Sequence, residues 1–115
     1  MLNMSDIPAT ITVEELNERR QKGENPTVLD VRNPDEWEKA SIDDTLKIPM
    51  PEVPDRLEEL NEHKDKELVV MCHHGGRSQR VCDFLSQNGF NKVRNLTGGI
   101  HHWSNKIDSG VPTYE

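Results

Sequence analysis

The chain has 115 residues, of which 32% are apolar and 30% are charged, a balance that predicts a thin core under a well-solvated surface. Its 14 basic and 21 acidic residues give a net charge of −7, which does not favour a general nucleic-acid binder, although a local positive site could still hold a small anion. No segment approaches the roughly 18 consecutive apolar residues of a membrane helix, and the first residues lack the pattern of a signal peptide. We therefore expect a cytoplasmic protein with free thiols at its two cysteines and no membrane partner.

Strand and helix patterns alternate along the chain. The predicted strands cover residues 10–11, 27–31, 46–49, 67–71 and 92–96, and the predicted helices cover residues 12–23, 33–39, 51–63, 78–89 and 98–107. Helix starts are indicated by Thr12, which has Glu15 three residues later, and by Asn33 followed by Pro34. The strand at 67–71 is a near-continuous apolar run of the kind buried on both faces of a parallel sheet. This alternation predicts an α/β fold with a mostly parallel sheet.

The segment MCHHGGRSQ places Cys72 at the end of the strand at 67–71, with a helix starting about five residues later. Ligands bind at this edge of open α/β sheets. Gly75 and Gly76 allow a tight curl whose backbone N–H groups point inward as an anion nest, and the helix N-terminus adds partial positive charge. Such a nest favours the thiolate, which is the nucleophilic form of cysteine. Arg77 at the helix start could hold an oxyanion or brace the loop.

Four segments together resemble single-domain rhodaneses, the thiosulfate sulfurtransferase family. They are LDVRNPDEW (29–37), CHHGGRS (72–78), FLSQNGF (84–90) and NLTGGIHHW (95–103), which follow one another in family order and cover nearly the whole chain. The resemblance implies a single rhodanese-like domain over residues 1–115, with a central, mostly parallel five-stranded sheet flanked by helices on both faces.

The resemblance also implies a two-step sulfur transfer through a persulfide on Cys72. The cysteine thiolate takes the sulfane sulfur of thiosulfate, or of a related persulfide or polysulfide, and passes it to cyanide or a thiol acceptor. Neither a cofactor nor a metal is implied. The residues expected to form the active-site loop and bind substrate are His73, His74, Gly75, Gly76, Arg77 and Ser78. Asp30 and Arg32 are expected to support the site, most simply as a structural ion pair.

The length of the cysteine loop distinguishes sulfur transfer from the chemistry of the related cysteine-based phosphatases. Cysteine-based phosphatases that resemble rhodaneses have five residues between cysteine and arginine, whereas four separate Cys72 from Arg77 here. A phosphatase or arsenate-type reductase is therefore disfavoured. The other alternative is a non-catalytic rhodanese-like binding or regulatory module, against which the intact cysteine loop argues.

The chain departs from the family pattern in two segments. Ala40 and Ser41 stand where many relatives have Gly-His, in a segment that is mainly a structural turn. His73 stands where many thiosulfate-using members have Arg or Lys, and histidine is only partly charged near neutral pH, which does not favour thiosulfate over other donors.

The remaining candidates have structural interpretations. Cys82 lies in a helix beside Val81, so core packing is favoured over a role as a resolving thiol. Zinc bound by Cys72, His73 and His74 is disfavoured, because adjacent histidines are expected to point in different directions, although His101 or His102 is a conceivable fourth ligand. His101 and His102 are expected to form a solvated pair, and His63 to be exposed.

Overall fold

The computed structural model describes residues 8–115, whose strands form one sheet. The strands are β1 (Thr10–Ile11), β2 (Thr27–Asp30), β3 (Thr45–Lys47), β4 (Leu68–Met71) and β5 (Val93–Leu96). Their order across the sheet is β1-β5-β4-β2-β3, and every neighbouring pair is parallel. The predicted five-stranded α/β sheet is therefore confirmed, and it is parallel throughout the described chain.

Helices connect the strands in the alternation that the sequence predicts. They are α1 (Val13–Gln21), α2 (Pro34–Lys39), α3 (Gly76–Gln87) and α4 (Gly99–Lys106). The backbone N–H of Glu15 donates to Thr12 Oγ1 at 3.1 Å, which confirms Thr12 as the N-cap of α1. Helix α2 begins at Pro34, where a missing N–H costs no helical hydrogen bond. No helix in residues 8–115 is long and apolar enough to cross a membrane.

The core lies on both faces of the sheet. All four residues of β4 are fully buried, and they alternate between two hydrophobic clusters, with Leu68 and Val70 in one and Val69 and Met71 in the other. Successive side chains of a strand point to opposite faces, so each cluster fills one side. The first cluster contains Val81 and Leu85 of α3, and the second contains residues of α1 and α4, including Leu16, Ile100 and Trp103.

The helix predicted over residues 51–63 differs from the structure in its type. Residues 51–63 were predicted as a regular helix, but they form two 3₁₀ segments, Met50–Glu52 and Pro54–His63, and Arg56 interrupts the second with φ −112° and ψ 19°. Two prolines in this stretch lack the N–H that a continuous α-helix needs. Val53 and Leu60 are nevertheless buried as the apolar spacing predicts.

Candidate active site

Cys72 lies immediately after β4 and its side chain is directed into the loop that leads to α3. The residue is only 1% exposed. Its Sγ atom accepts a hydrogen bond from the backbone N–H of Gly75 at 3.0 Å and lies 3.3 Å from the hydroxyl oxygen of Ser78. Gly75 has φ +120°, a conformation that favours glycine, and this turn points its N–H back toward the sulfur. The predicted curl of the loop is therefore built around the sulfur atom.

Ser78 and Asn95 form a buried polar pair behind the cysteine. The Ser78 hydroxyl lies near Cys72 Sγ, the Gly75 carbonyl oxygen and Asn95 Oδ1, yet it has one proton to donate. Asn95 Nδ2 donates to the Gly75 carbonyl oxygen at 3.1 Å, so the same amide holds both the loop and the serine. Sequence reasoning missed Asn95, although an amide in a strand that follows the cysteine helix was the available signal.

Arg77 braces the loop against α2. Its Nη1 and Nη2 atoms lie 2.6 Å and 2.8 Å from the two carboxylate oxygens of Glu36, and the Tyr114 hydroxyl donates to Glu36 Oε2 at 2.7 Å. Hydrogen bonding to Arg77, which outweighs the effect of burial, lowers the pKa of Glu36 to about 2. Of the two roles predicted for Arg77, the geometry fits bracing. Glu36 and Tyr114 were missed, because their contacts join residues far apart in sequence.

Asp30 and Arg32 form a fully buried ion pair beside the loop. Arg32 Nε lies 3.0 Å from Asp30 Oδ1 and Nη2 lies 2.7 Å from Oδ2, with neither side chain exposed. The remaining guanidinium N–H groups donate to the Glu36 and Ala40 carbonyl oxygens and to the Tyr114 hydroxyl. All five donors thus have acceptors within the protein, which is what a buried arginine requires. This arrangement fits the supporting role predicted for the pair.

Helix α4 fixes the backbone of the loop from the other side. The N–H groups of Ile100 and His101 donate to the carbonyl oxygens of Cys72 and His73 at 3.0 Å and 3.1 Å. A side chain at Gly99 would overlap the Cys72 carbonyl oxygen and lie 2.6 Å from that of His73. Only glycine allows this close approach, so the Gly-Gly segment positions the cysteine loop.

Three histidines gather next to the loop. The His73 ring stacks on Tyr114 with centroids 4.0 Å apart and planes 7° apart, and its centroid is also 4.0 Å from that of His74. The His101 centroid lies 4.8 Å from that of His74. Burial and, secondarily, the neighbouring His74 lower the pKa of His73, so its ring is mainly neutral at pH 7.

The predicted solvent exposure of the other histidines is wrong. His101 and His102 are half-buried, because α4 packs against the loop. The His63 side chain is 13% exposed, and it lines a cavity with Pro26 and Thr27 at the start of β2. That cavity lies at the N-terminal edge of the sheet, away from the cysteine loop.

Cys82 packs in the core, as predicted. It is 5% exposed and belongs to the cluster that contains Val81 and Leu85. Burial raises the pKa of its thiol to about 12, so this cysteine stays protonated at neutral pH.

A fully parallel sheet with a buried cysteine at the carboxyl end of its central strand is the arrangement that the resemblance to rhodaneses predicts. The sequence profile of the family described as "Rhodanese-like domain" matches residues 12–106. The chain belongs to the rhodanese-like domain family, which confirms the resemblance seen in the sequence.

Named relatives carry the family's sulfur chemistry. The chain is 37% identical to a "Sulfurtransferase" of Allochromatium vinosum over 94 residues, covering 82% of this chain and 86% of that protein. It is also 37% identical to "Putative sulfur carrier protein YrkF" of Bacillus subtilis over 106 residues, covering 92% of this chain but 56% of that protein, or about half its length. A rhodanese-related protein of Thermoplasma volcanium has a crystal structure that matches with a TM-score of 0.75 at 36% identity, covering 91% of this chain and 96% of that one. One of these relatives is thus named as a sulfurtransferase, and another as a putative sulfur carrier.

Proposed function

We propose that the protein is a sulfurtransferase that carries a sulfane sulfur on Cys72 as a persulfide. The observation that carries the proposal is the polar surroundings of the sulfur atom, to which the Gly75 N–H donates at 3.0 Å and from which the Ser78 hydroxyl oxygen lies 3.3 Å. Polar groups placed at the sulfur can stabilise the charge that it carries during transfer. A cysteine placed only for packing has no need of them.

The proposed reaction has two half-reactions that balance. The Cys72 thiolate attacks the outer sulfur of the donor, forms a new S–S bond, and breaks the bond between the donor's two sulfurs. With thiosulfate, the bonding pair leaves on sulfite. A thiol or cyanide then attacks the terminal sulfur of the Cys72 persulfide, forming a persulfide or thiocyanate and returning the electron pair to Cys72. The enzyme alternates between two covalent states, so ping-pong kinetics are expected and no cofactor is needed.

The start of α3 supplies further donors for the persulfide. The backbone N–H groups of Gly76, Arg77 and Ser78 occupy the first turn of the helix, where no intrahelical acceptor exists. Together with the positive end of the helix dipole they favour an anion at this position. They are the groups that we expect to solvate the terminal sulfur, in the way that an oxyanion hole solvates oxygen.

The charge of the loop bears on which donor is used. Glu36 already neutralises Arg77 in a two-pronged ion pair, and burial keeps His73 mainly neutral. A doubly charged donor such as thiosulfate therefore gains little attraction from these two side chains. We expect persulfide or polysulfide donors to load Cys72 faster than thiosulfate does, with thiols as acceptors.

The test is intact mass spectrometry of the reduced protein after incubation with thiosulfate or with polysulfide. The wild type should gain one sulfur atom from at least one of these donors, and a thiol or cyanide should remove it. Cys72→Ser should gain none, whereas Cys82→Ser should load like the wild type. p-Nitrophenyl phosphate should not be hydrolysed.

Two outcomes would contradict the proposal. Failure of both donors to load the wild type would favour the non-catalytic module. Equal sulfur gain by Cys72→Ser and the wild type would place the persulfide elsewhere.

A further inference from the structure

Three histidines at the loop form a cluster to which the proposed transfer steps assign no chemical step. His73, His74 and His101 each offer one ring nitrogen, and these three atoms all lie within 4.8 Å of one another. His73 and His74 come from the loop after β4, and His101 comes from the first turns of α4. The sequence-based expectation that adjacent histidines point apart is wrong here, since the His73 and His74 ring centroids are 4.0 Å apart.

Two of the ring nitrogens are buried and have no hydrogen-bond partner among the described residues. They are Nε2 of His73 and Nδ1 of His101. Leaving a buried polar nitrogen without a hydrogen-bond partner is unfavourable, so two such atoms in one cluster call for an explanation. A bound ligand that accepts both lone pairs provides one.

The surroundings hold the rings in place. The His101 N–H donates to the His73 carbonyl oxygen at 3.1 Å, which ties the two backbones together. Tyr114 stacks on the His73 ring, and Asn105 Nδ2 lies 3.2 Å from His101 Nε2. A half-turn of this amide would place its oxygen at Nε2, where it would accept the Nε2 proton and leave the Nδ1 lone pair free for a metal ion, as the outer partners of metal-binding histidines do.

From this geometry we propose that His73, His74 and His101 bind one divalent first-row transition-metal ion, of which Zn²⁺ is the representative. Three imidazoles leave a fourth tetrahedral position open for water or another ligand. Ligand nitrogens of a tetrahedral zinc ion are about 3.3 Å apart, so the three nitrogens, which lie within 4.8 Å of one another, must approach by at most about 1.5 Å. The exposed His74 ring is freer to move than the two half-buried rings.

The ion would sit beside the mouth of the cysteine loop. This assignment is independent of sulfur transfer, because it rests on the three rings and on no property of Cys72. It departs from the expectation, drawn from the family resemblance, that the protein has no metal.

The test uses untagged, reduced protein titrated with Co²⁺, whose visible absorption reports tetrahedral coordination, followed by displacement with Zn²⁺ and calorimetry. One ion per chain is expected. His74→Gln and His101→Gln should each weaken binding by at least about tenfold. His63→Gln is the matched control, since His63 lies at the other edge of the sheet, and it should bind like the wild type. Because His74 is exposed, its replacement leaves the fold intact, which circular dichroism checks.

A second variant tests whether the metal ligands are imidazoles or the Cys72 thiolate. Cys72→Ser should retain the Co²⁺ spectrum and the affinity, which supports a site made of histidines. Unchanged binding in the triple variant H73Q/H74Q/H101Q would overturn the proposal. Loss of the ion in Cys72→Ser with retention in the histidine variants would overturn it as well, because the thiolate would then be the ligand.

Discussion

The two cysteines of this protein are almost equally buried, yet their surroundings differ. Cys72 is 1% exposed and Cys82 is 5% exposed, and both belong to the same hydrophobic cluster. Cys72 sits where a strand gives way to a helix, with the Gly75 N–H and the Ser78 hydroxyl at its sulfur. Cys82 sits inside α3, where burial raises its pKa to about 12. Burial is therefore shared by the two cysteines, and the polar groups at the Cys72 sulfur are what separate the proposed nucleophile from the packing residue.

The largest expected effect comes from removing each thiol in turn. Cys72→Ala should reduce sulfur transfer to background, because no other described thiol has such donors. Cys82→Ala should keep nearly full transfer and lose about 1 kcal/mol of stability through the small cavity that it leaves. Thiocyanate or persulfide formation measures sulfur transfer, and urea unfolding measures the loss of stability. Loss of transfer in Cys82→Ala, with the fold intact, would show that the two thiols act together.

The next effect tests the backbone that surrounds Cys72. Gly99→Ala should destabilise the protein by about 3 kcal/mol, because its Cβ would collide with the Cys72 and His73 carbonyl oxygens at a φ of +58°. Gly89→Ala is the matched control: its φ is +91° but nothing lies within 4 Å, so a loss of about 1 kcal/mol is expected. Urea unfolding of both variants separates the collision from the strain of positive φ. Equal losses would mean that α4 moves away from the loop at little cost.

A smaller effect concerns the Glu36–Arg77 brace of the cysteine loop. The folded-state pKa of Glu36, about 2, lies below its ordinary value of 4.5. The ionised carboxylate therefore stabilises the folded state fully above about pH 5, and this contribution is lost as the pH falls toward 2. Glu36→Gln should cost about 2 kcal/mol at pH 7, allowing for the part of Arg77 that solvent screens. The wild type and the variant should converge in stability at low pH.

Thermal unfolding between pH 2 and pH 7 measures this dependence. Glu38→Gln, an exposed change in the same helix α2, should follow the wild type at every pH. A constant difference between Glu36→Gln and the wild type over the whole range would rule out the ion pair as its source.

The sequence predicts the parts of this molecule that depend on local pattern. The apolar run of β4 and the Gly-Gly turn after Cys72 identify the central strand and the loop, and the family resemblance supplies the strand number. Residues 51–63 show the limit of such patterns, because the apolar spacing is right while prolines tighten the backbone into 3₁₀ turns.

The parts that could not be predicted are contacts between distant segments. Tyr114 stacks on His73 and donates to Glu36, which lies 78 positions away, and nothing in the sequence near Tyr114 signals either contact. The gathering of His101 with the loop histidines likewise depends on how α4 docks. Asn95 could have been predicted as a site residue, because an amide buried in β5 must find hydrogen-bond partners.

The smallest expected effect tests the serine that distinguishes the two cysteine environments. Ser78→Ala removes the hydroxyl that lies 3.3 Å from Cys72 Sγ and leaves the Gly75 N–H in place, so transfer should fall about tenfold rather than vanish. Ser86→Ala, an exposed change in the same helix, should transfer sulfur like the wild type. The measurement is the rate of persulfide formation in the wild type and both variants, followed by quenched mass spectrometry. If Ser78→Ala loads at the wild-type rate, the hydroxyl serves Asn95 and the loop alone, and the Gly75 N–H by itself accounts for the difference between Cys72 and Cys82.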